Sequence, residues 1–188
     1  GADGLVLLTA GAGGQTGWLN PLAFVRAVRK FYDGPIVLAG GVSDGAALLA
    51  AQALGCDLAY MGTKFIATRE SLAKQDYKDM LVGARADDIL LTRAFTGLET
   101  NMLRPSIVAA GLDPDNLPAR GAIDIAKDIS VEGRENRPAR WKDIWSAGHS
   151  VSGVDGVPTV ADLVERTRAE YETARDDFLL RISNMRRR

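Results

Sequence analysis

The sequence contains few of the residues on which several large classes of protein depend. Among its 188 residues there is one cysteine, Cys56, and one histidine, His149. A single cysteine excludes a disulfide framework and suits a reducing compartment, so we expect a cytoplasmic protein with Cys56 as a small buried hydrophobe. No apolar run reaches ~18 residues and no signal-peptide pattern is present. The sequence therefore predicts no membrane-spanning helix.

Charge and short motifs exclude further classes. The net charge is −1, so nothing draws the whole chain to nucleic acid or to an anionic membrane. The one dense basic run, at residues 186–188, is typical of a solvated tail. A Walker phosphate loop and a dinucleotide fingerprint are both missing. Asp87 and Asp88 lack any neighbouring histidine or cysteine, so we predict no metal site.

Short apolar runs alternate with helical patterns through the first hundred residues. The runs at 5–10, 36–39 and 58–61 predict strands covered on both faces, and 89–92 predicts a fourth. Asn20 and Pro21 open one helix, while Ser43 or Asp44 caps the next and Gly55 ends it. This order predicts an α/β fold with a parallel sheet. Its repeat length favours a TIM-type (β/α)8 barrel over a doubly wound sheet.

The later sequence changes character. Helices are predicted at 64–73, 75–83 and 103–110, a charged loop at 129–142, and a long amphipathic helix at 160–182. We expect that helix to dock on its own barrel, although packing against another copy in a homo-oligomer is the alternative. The predicted organisation is thus residues 1–100 as barrel and residues 101–188 as a helical and loop extension packed on it.

Glycines follow three successive predicted strands. They stand where a barrel has its active site, and the absence of side chains would let a ligand reach backbone N–H groups. Thr63 adds a hydroxyl at the third strand end. Tight turns explain any one of these glycines, whereas phosphate binding explains all three clusters. The residues concerned are Gly11, Gly13, Gly14, Gly17, Gly40, Gly41 and Gly62.

Three motifs in this order carry a family resemblance: GAGGQTGW at 11–18, LAGGV at 38–42 and YMGTKF at 60–65. They resemble the nitronate monooxygenase family, formerly called 2-nitropropane dioxygenases, which also includes flavin-dependent enoyl reductases and acyl-CoA-active enzymes. The resemblance implies a TIM-type barrel that binds FMN and a small-molecule substrate. The cofactor-binding residues it implies are Gly13, Gly14, Gly40, Gly41, Met61, Gly62 and Thr63.

The resemblance covers only about the second half of that fold. The chain begins at Gly1 without an initiator Met and enters a strand at once. We therefore expect the second half of a barrel, whose open strand edges require the missing N-terminal half.

Two residues are the candidates for catalysis, Gln15 and His149. Gln15 stands where the family usually has a histidine, and glutamine cannot abstract a proton, although it can donate a hydrogen bond. His149 lies in WSAGHS at 145–150, which resembles the family's late segment over the active site, where glutamine is usual. The pair can therefore be a swap, with a packing role for His149 as the alternative.

Three functions remain open at this point. The first is FMN-dependent oxidation of alkyl nitronates with oxygen, which needs no base because a nitronate is already carbanion-like. The second is an acyl-CoA or enoyl-thioester oxidoreductase. The third is a non-redox phosphate-binding barrel enzyme.

Overall fold

The computed structural model describes residues 1–117 and 143–185. The predicted charged loop at 129–142 and the basic tail at 186–188 lie outside the described residues. Within the described residues, two 3₁₀ turns occur, at Ala86–Asp88 and His149–Gly153. The helices and strands, in chain order, are β1 Leu5–Leu8, β2 Gly14–Gln15, α1 Pro21–Val28, β3 Ile36–Ala39, α2 Gly45–Leu54, β4 Leu58–Tyr60, α3 Thr63–Ile66, α4 Gln75–Gly83, β5 Ile89–Thr92, β6 Thr100–Leu103, α5 Arg104–Ala109 and α6 Val160–Met185.

A parallel three-stranded sheet has the order β1-β3-β4. Leu5 pairs with Ile36, and Val37 pairs with Leu58. The helix α1 begins at the predicted Pro21, and α2 begins one residue before the predicted Ala46 and ends at the predicted Gly55. The Asn20 side chain accepts a hydrogen bond from Leu22 N, and Gly55 ends α2 at a φ of 104°. The predicted α/β fold is confirmed, but these three strands form an open sheet and not a closed barrel in the part of the chain described.

The two faces of this sheet differ in burial. The helix-covered face, which includes Leu7, Ile36 and Leu38, packs against Val25 and Val28 of α1. The opposite face, here called the open face, is formed by the alternate residues of the same strands. Its members are Val6, Leu8, Val37, Ala39, Leu58 and Tyr60. Val6 is 55% exposed, Leu58 61% and Tyr60 65%, so the prediction that these strands are covered on both faces is wrong for this chain.

A second sheet is antiparallel, with the order β2-β6-β5. The predicted fourth strand, β5, was expected to continue the parallel sheet and does not. Residues 93–99 between β5 and β6 are too few for a crossover helix, so the chain reverses and Thr92 pairs with Thr100. The strand β6 was not predicted, and its range, Thr100–Leu103, spans the proposed division after residue 100. That division into a barrel part and an extension stays a prediction.

The helices of the later chain also differ in part from expectation. The predicted helix at 64–73 ends at Ile66, because Ala67 leaves helical geometry at ψ 45° and the Thr68 hydroxyl bonds to Phe65 O. The first half of α6 packs on α2, where the main chain of α6 at Tyr171 overlies Gly45. Beyond Glu172 most side chains of α6 are exposed. None of the described helices is long and apolar enough to cross a membrane.

Candidate active site

The three glycine-bearing turns meet at one edge of the parallel sheet. They surround a cavity of about 110 Å³. Leu8, Ala39 and Tyr60, at the end of the open face, line one part of this cavity. Ser146 and Ser150, from a later segment of the chain, line another. The predicted site residues that line it are Gly13, Gly40, Gly41, Gly62 and Thr63.

Gly40 is required by the chain itself. Its φ is 126°, a region that favours glycine. A Cβ there would overlap Thr9 Oγ1 and would stand 2.7 Å from Ala12 N. Gly41 also has a positive φ, of 73°, but its missing side chain faces open space. Packing therefore accounts for Gly40, and backbone geometry alone accounts for Gly41.

Gly62 is required by neither packing nor backbone geometry. Its φ of −84° and ψ of −60° suit any residue. A Cβ at this position would have no atom within 4 Å. Because Gly62 lines the cavity, a side chain there would enter space that the protein leaves free. This is the pattern expected where a ligand approaches the main chain.

Thr63 presents a buried hydroxyl beside Gly62. The residue is 5% exposed and lines the cavity. Its Oγ1 accepts a hydrogen bond of 2.9 Å from the main-chain N–H of Gly148. Because a hydroxyl also carries one proton to donate, Thr63 can bind an anion in the cavity while it holds Gly148.

Residues 146–150, here called the strap, cross over the turn that follows β1. His149 N donates a 3.0 Å hydrogen bond to Gly11 O. A Cβ on Gly148 would stand 2.5 Å from Gly11 O and 2.7 Å from Gly13 N. The two main chains are thus in direct contact, which explains glycine at positions 13 and 148 at normal backbone angles.

The base of the strap is fixed by side chains from distant elements. The Tyr77 hydroxyl donates a hydrogen bond to Ser146 O, and the Tyr77 ring stacks on Trp145 with centroids 4.8 Å apart. Burial raises the pKa of Tyr77 to about 12, so this hydroxyl keeps its proton at neutral pH. Trp145 N in turn donates to Ser106 Oγ at 2.9 Å.

The side chain of Asn101 on β6 forms hydrogen bonds to the main chain of the glycine turn that follows β1. Its side-chain amide is 2% exposed and donates to Ala10 O at 3.0 Å and to Ala12 O at 2.7 Å. Sequence reasoning missed Asn101, Tyr77 and Ser106. Their contacts in the site join residues 39 to 91 positions apart, and the local sequence carries no signal for such pairings.

The remaining predicted residues do not line this cavity. Gln15 is exposed on β2, where it pairs with Thr100, and Gly14 is buried beside it. His149 is exposed, and its Nδ1 would stand 3.2 Å from a Cβ on Gly11. Met61 points away from the cavity, into the helix-side core.

The nearby charged groups are occupied elsewhere. Lys64 is buried, and its Nζ donates to Ser43 O at 2.5 Å. Burial, followed by the charge of Arg166, lowers the pKa of Lys64. Two of the first N–H groups of α2 are also satisfied, since Gly45 N donates to Glu170 Oε2 at 2.9 Å and Ala47 N donates to Asp44 Oδ1 at 2.7 Å. An anion in the cavity would therefore be held by neutral main-chain and hydroxyl donors.

Comparison with known proteins gives consistent matches. The family model described as nitronate monooxygenase matches residues 1–169. A nitronate monooxygenase of Paraburkholderia phytofirmans is 34% identical in an alignment of 137 positions that covers 68% of this chain and 37% of that protein. A Rhodococcus jostii 5-hydroxy-7a-methyl-1-oxo-octahydro-1H-indene-4-carboxyl-CoA dehydrogenase is 30% identical over 130 residues, which are 69% of this chain and 36% of that protein.

Solved structures share the fold over most of the chain. FabK from Thermotoga maritima matches 95% of this chain and 57% of its own, with a TM-score of 0.71 and 22% identity. A nitroalkane oxidase from Streptomyces ansochromogenes matches 95% and 54%, with a TM-score of 0.68 and 24% identity. The chain thus spans little more than a third of these curated relatives and little more than half of these structures. By its family match, this chain belongs to the nitronate monooxygenase family.

Proposed function

We propose that the natural protein is an FMN-dependent oxidoreductase that oxidises alkyl nitronates with oxygen. The observation that carries the cofactor assignment is Gly62, a glycine that the chain does not need for its own structure. Its free space adjoins the Thr63 hydroxyl and the open position beside Gly41. Family membership supports the reaction, because the Paraburkholderia phytofirmans relative is a nitronate monooxygenase.

The residues of the cavity fit a phosphate group. Gly41 and Gly62 leave room at two strand ends, and Thr63 is buried with a proton to donate. We assign the FMN phosphate to Gly40, Gly41, Gly62 and Thr63. When bound, FMN supplies the redox chemistry, since it accepts electrons from carbon and passes them to oxygen.

The chain's own residues would bind and orient the substrate. Gln15 is a hydrogen-bond donor exposed on β2, and we assign it to an oxygen of the nitronate group. Glutamine is sufficient there because a nitronate is already deprotonated, so no general base is required. His149 lies on the strap beside Gly11, and we assign its imidazole to the same negative charge from the other side.

We further propose that the three parallel strands belong to a barrel whose other half covers the open face. Val6, Leu58 and Tyr60 are apolar and more than half exposed. The outer edge of β4 adjoins a groove of about 560 Å³ lined by Met61, Phe65 and other apolar residues. The relatives contain further polypeptide outside the match, and we propose that a corresponding part of the natural protein fills this role. A cytoplasmic location and a homo-oligomer stay predictions.

The experiment is anaerobic titration of the purified full-length protein with an alkyl nitronate. We expect bound flavin to lose its absorbance near 450 nm, about one equivalent of nitronate per flavin, and to regain it when oxygen enters. The neutral nitroalkane serves as the control and should react slowly, because Gln15 cannot remove its proton. A flavin that stays oxidised with nitronate would contradict the proposal.

A second function is favoured by one specific observation. The Rhodococcus jostii acyl-CoA dehydrogenase is nearly as similar to this chain as the nitronate enzyme, at 30% against 34% identity. Reduction of the flavin by an acyl-CoA and not by nitronate would establish this alternative. A colourless protein that releases no FMN on denaturation would instead indicate a non-redox phosphate-binding enzyme.

A further inference from the structure

The Thr63 hydroxyl lies between two parts of the site that the chain forms separately. On one side it borders the cavity, together with Gly41 and Gly62. On the other side it accepts the N–H of Gly148, which is 85 residues away and belongs to the strap. Thr63 itself is 5% exposed, and its bond to Gly148 N is buried.

Gly148 and His149 are consecutive residues of the strap, so a displacement of Gly148 also displaces His149. Gly148 is wedged between Gly11 O and Gly13 N, at the short distances given above. The next residue, His149, is bonded through its own N–H to Gly11 O at 3.0 Å. The contacts of Thr63, Gly148 and His149 therefore form one continuous chain from the cavity to the main chain of His149.

A hydroxyl that donates to an anion becomes a better hydrogen-bond acceptor. Hydrogen bonds in series polarise one another, and the effect is larger where solvent is excluded. Donation from Thr63 to an anionic oxygen would strengthen the bond from Gly148 N. By thermodynamic linkage, a well-ordered strap would also hold the anion more tightly.

We propose that Thr63 is a positioning residue that couples anion binding in the cavity to the order of the strap, and thereby to the placement of His149. This coupling rests on the proposed function for the identity of the anion, the phosphate of FMN. It assigns to Thr63 a second role beyond holding phosphate. Binding of the cofactor then sets the geometry of the opposite side of the site.

The test compares Thr63→Val with wild type in the natural full-length protein. Valine has nearly the same shape but has no hydroxyl, so we expect FMN to bind about tenfold to a hundredfold more weakly. Riboflavin has the same ring and no phosphate, so its affinity should change less than about twofold. Thr63→Ser restores the hydroxyl and should bind FMN as wild type does.

The second readout is hydrogen exchange at the amide of His149, whose acceptor, Gly11 O, is intact in every variant. In wild type we expect FMN, or inorganic phosphate alone, to slow this exchange about tenfold or more. In Thr63→Val saturating FMN should slow it less than about twofold. Thr68→Val is the matched control, because Thr68 is 1% exposed, follows the same short helix and bonds only to Phe65 O.

The outcomes separate this coupling from the proposed function. If Thr63→Val binds FMN as tightly as wild type, the coupling and the placement of the phosphate on Thr63 are both overturned, while FMN stands as the cofactor. If Thr63→Val binds FMN more weakly but FMN protects His149 equally in both proteins, the coupling alone is overturned. If neither FMN nor phosphate binds wild type, both are overturned. Failure of nitronate to reduce the bound flavin would overturn the reaction alone. If Thr63→Val does not fold, Thr63→Ala takes its place with the same expected losses.

Discussion

The two faces of the parallel sheet come from the same strands and differ sharply in their surroundings. On the helix-covered face Ile36 is fully buried, while on the open face Tyr60 is 65% exposed. Both faces are equally apolar, so side-chain type does not explain the contrast. What differs is the extent of cover: α1 and α2 pack on one face, whereas on the other Val6, Leu58 and Tyr60 are more than half exposed, although Ala39, which lines the cavity, is buried. The open face therefore has the sequence of a buried surface without its contacts.

The largest expected effect tests this contrast directly. Ile36→Ala should lower the free energy of unfolding by about 2–5 kcal/mol, because it leaves a cavity in a packed core. Leu58→Ala on the open face should lower it by less than about 1 kcal/mol in the chain of 188 residues. Urea denaturation of both variants measures the difference.

The same two variants, Ile36→Ala and Leu58→Ala, also test the proposed barrel. In the natural full-length protein, Leu58→Ala should become nearly as costly as Ile36→Ala if another half covers the open face. An unchanged small cost at Leu58 would mean that this face stays exposed, and would contradict the half-barrel proposal.

The next prediction compares two glycines, Gly45 and Gly62, in their effects on stability and on FMN binding. Gly45→Ala should cost about 3 kcal/mol, because its Cβ would overlap main-chain atoms of α6 at Tyr171. Gly62→Ala should change stability by less than about 0.5 kcal/mol, since nothing lies within 4 Å, but should weaken FMN binding about tenfold. Thermal melts and flavin fluorescence titration measure the two quantities. Full FMN affinity in Gly62→Ala would remove the main support for the cofactor site.

Tyr77→Phe tests how the strap is anchored at Ser146, which lines the cavity. We expect a loss of about 1–2 kcal/mol at neutral pH, because Ser146 O loses its donor. The pKa of Tyr77 is raised from 10.0 to about 12, so its stabilising contribution is complete below pH 10 and is lost as the pH rises to 12. The stability difference between wild type and variant should therefore fall by about 2.7 kcal/mol over that range, so that it passes through zero and the variant becomes the more stable protein at high pH. A difference that is constant with pH would place the hydroxyl in solvent.

The smallest effect is at a helix cap on the covered side. Asn20→Ala should cost about 1 kcal/mol, because Leu22 N loses its acceptor at the start of α1. Asn116→Ala is the control, since Asn116 lies in an exposed turn and no side-chain cap is observed there. Equal costs at both positions would show that α1 does not depend on its cap.

Sequence alone predicted the features that depend on neighbouring residues. Asn20 caps α1 through Leu22, two positions away, and Asp44 caps α2 through Ala47. Gly55 ends α2 because its own backbone takes a left-handed angle. Such contacts can be inferred from a few adjacent letters, so both helices were placed within a residue or two.

The missed features depend on residues far apart. In the sequence, Asn101 is one polar residue near an apolar stretch. Only in the folded chain does it bind the turn at Ala10 and Ala12. The strand β6 was overlooked for the same reason, because its pairing with β2 and β5 decides its conformation. The exposure of Val6 and Leu58 was also unpredictable, since periodicity reports whether a face is apolar and not whether its partner is present.

The contact of the strap with the turn after β1 also has a consequence for how the protein folds. The three glycine-bearing turns of the parallel sheet can form once β4 and α3 are made, whereas His149 must find Gly11 across most of the chain. Closing so long a loop is slow, because the entropy of the intervening chain is lost before the contact is gained. We expect the ribosome to release most of the sheet before the strap exists. The site would then be among the last parts of the molecule to form, with the cavity open to small molecules until it does.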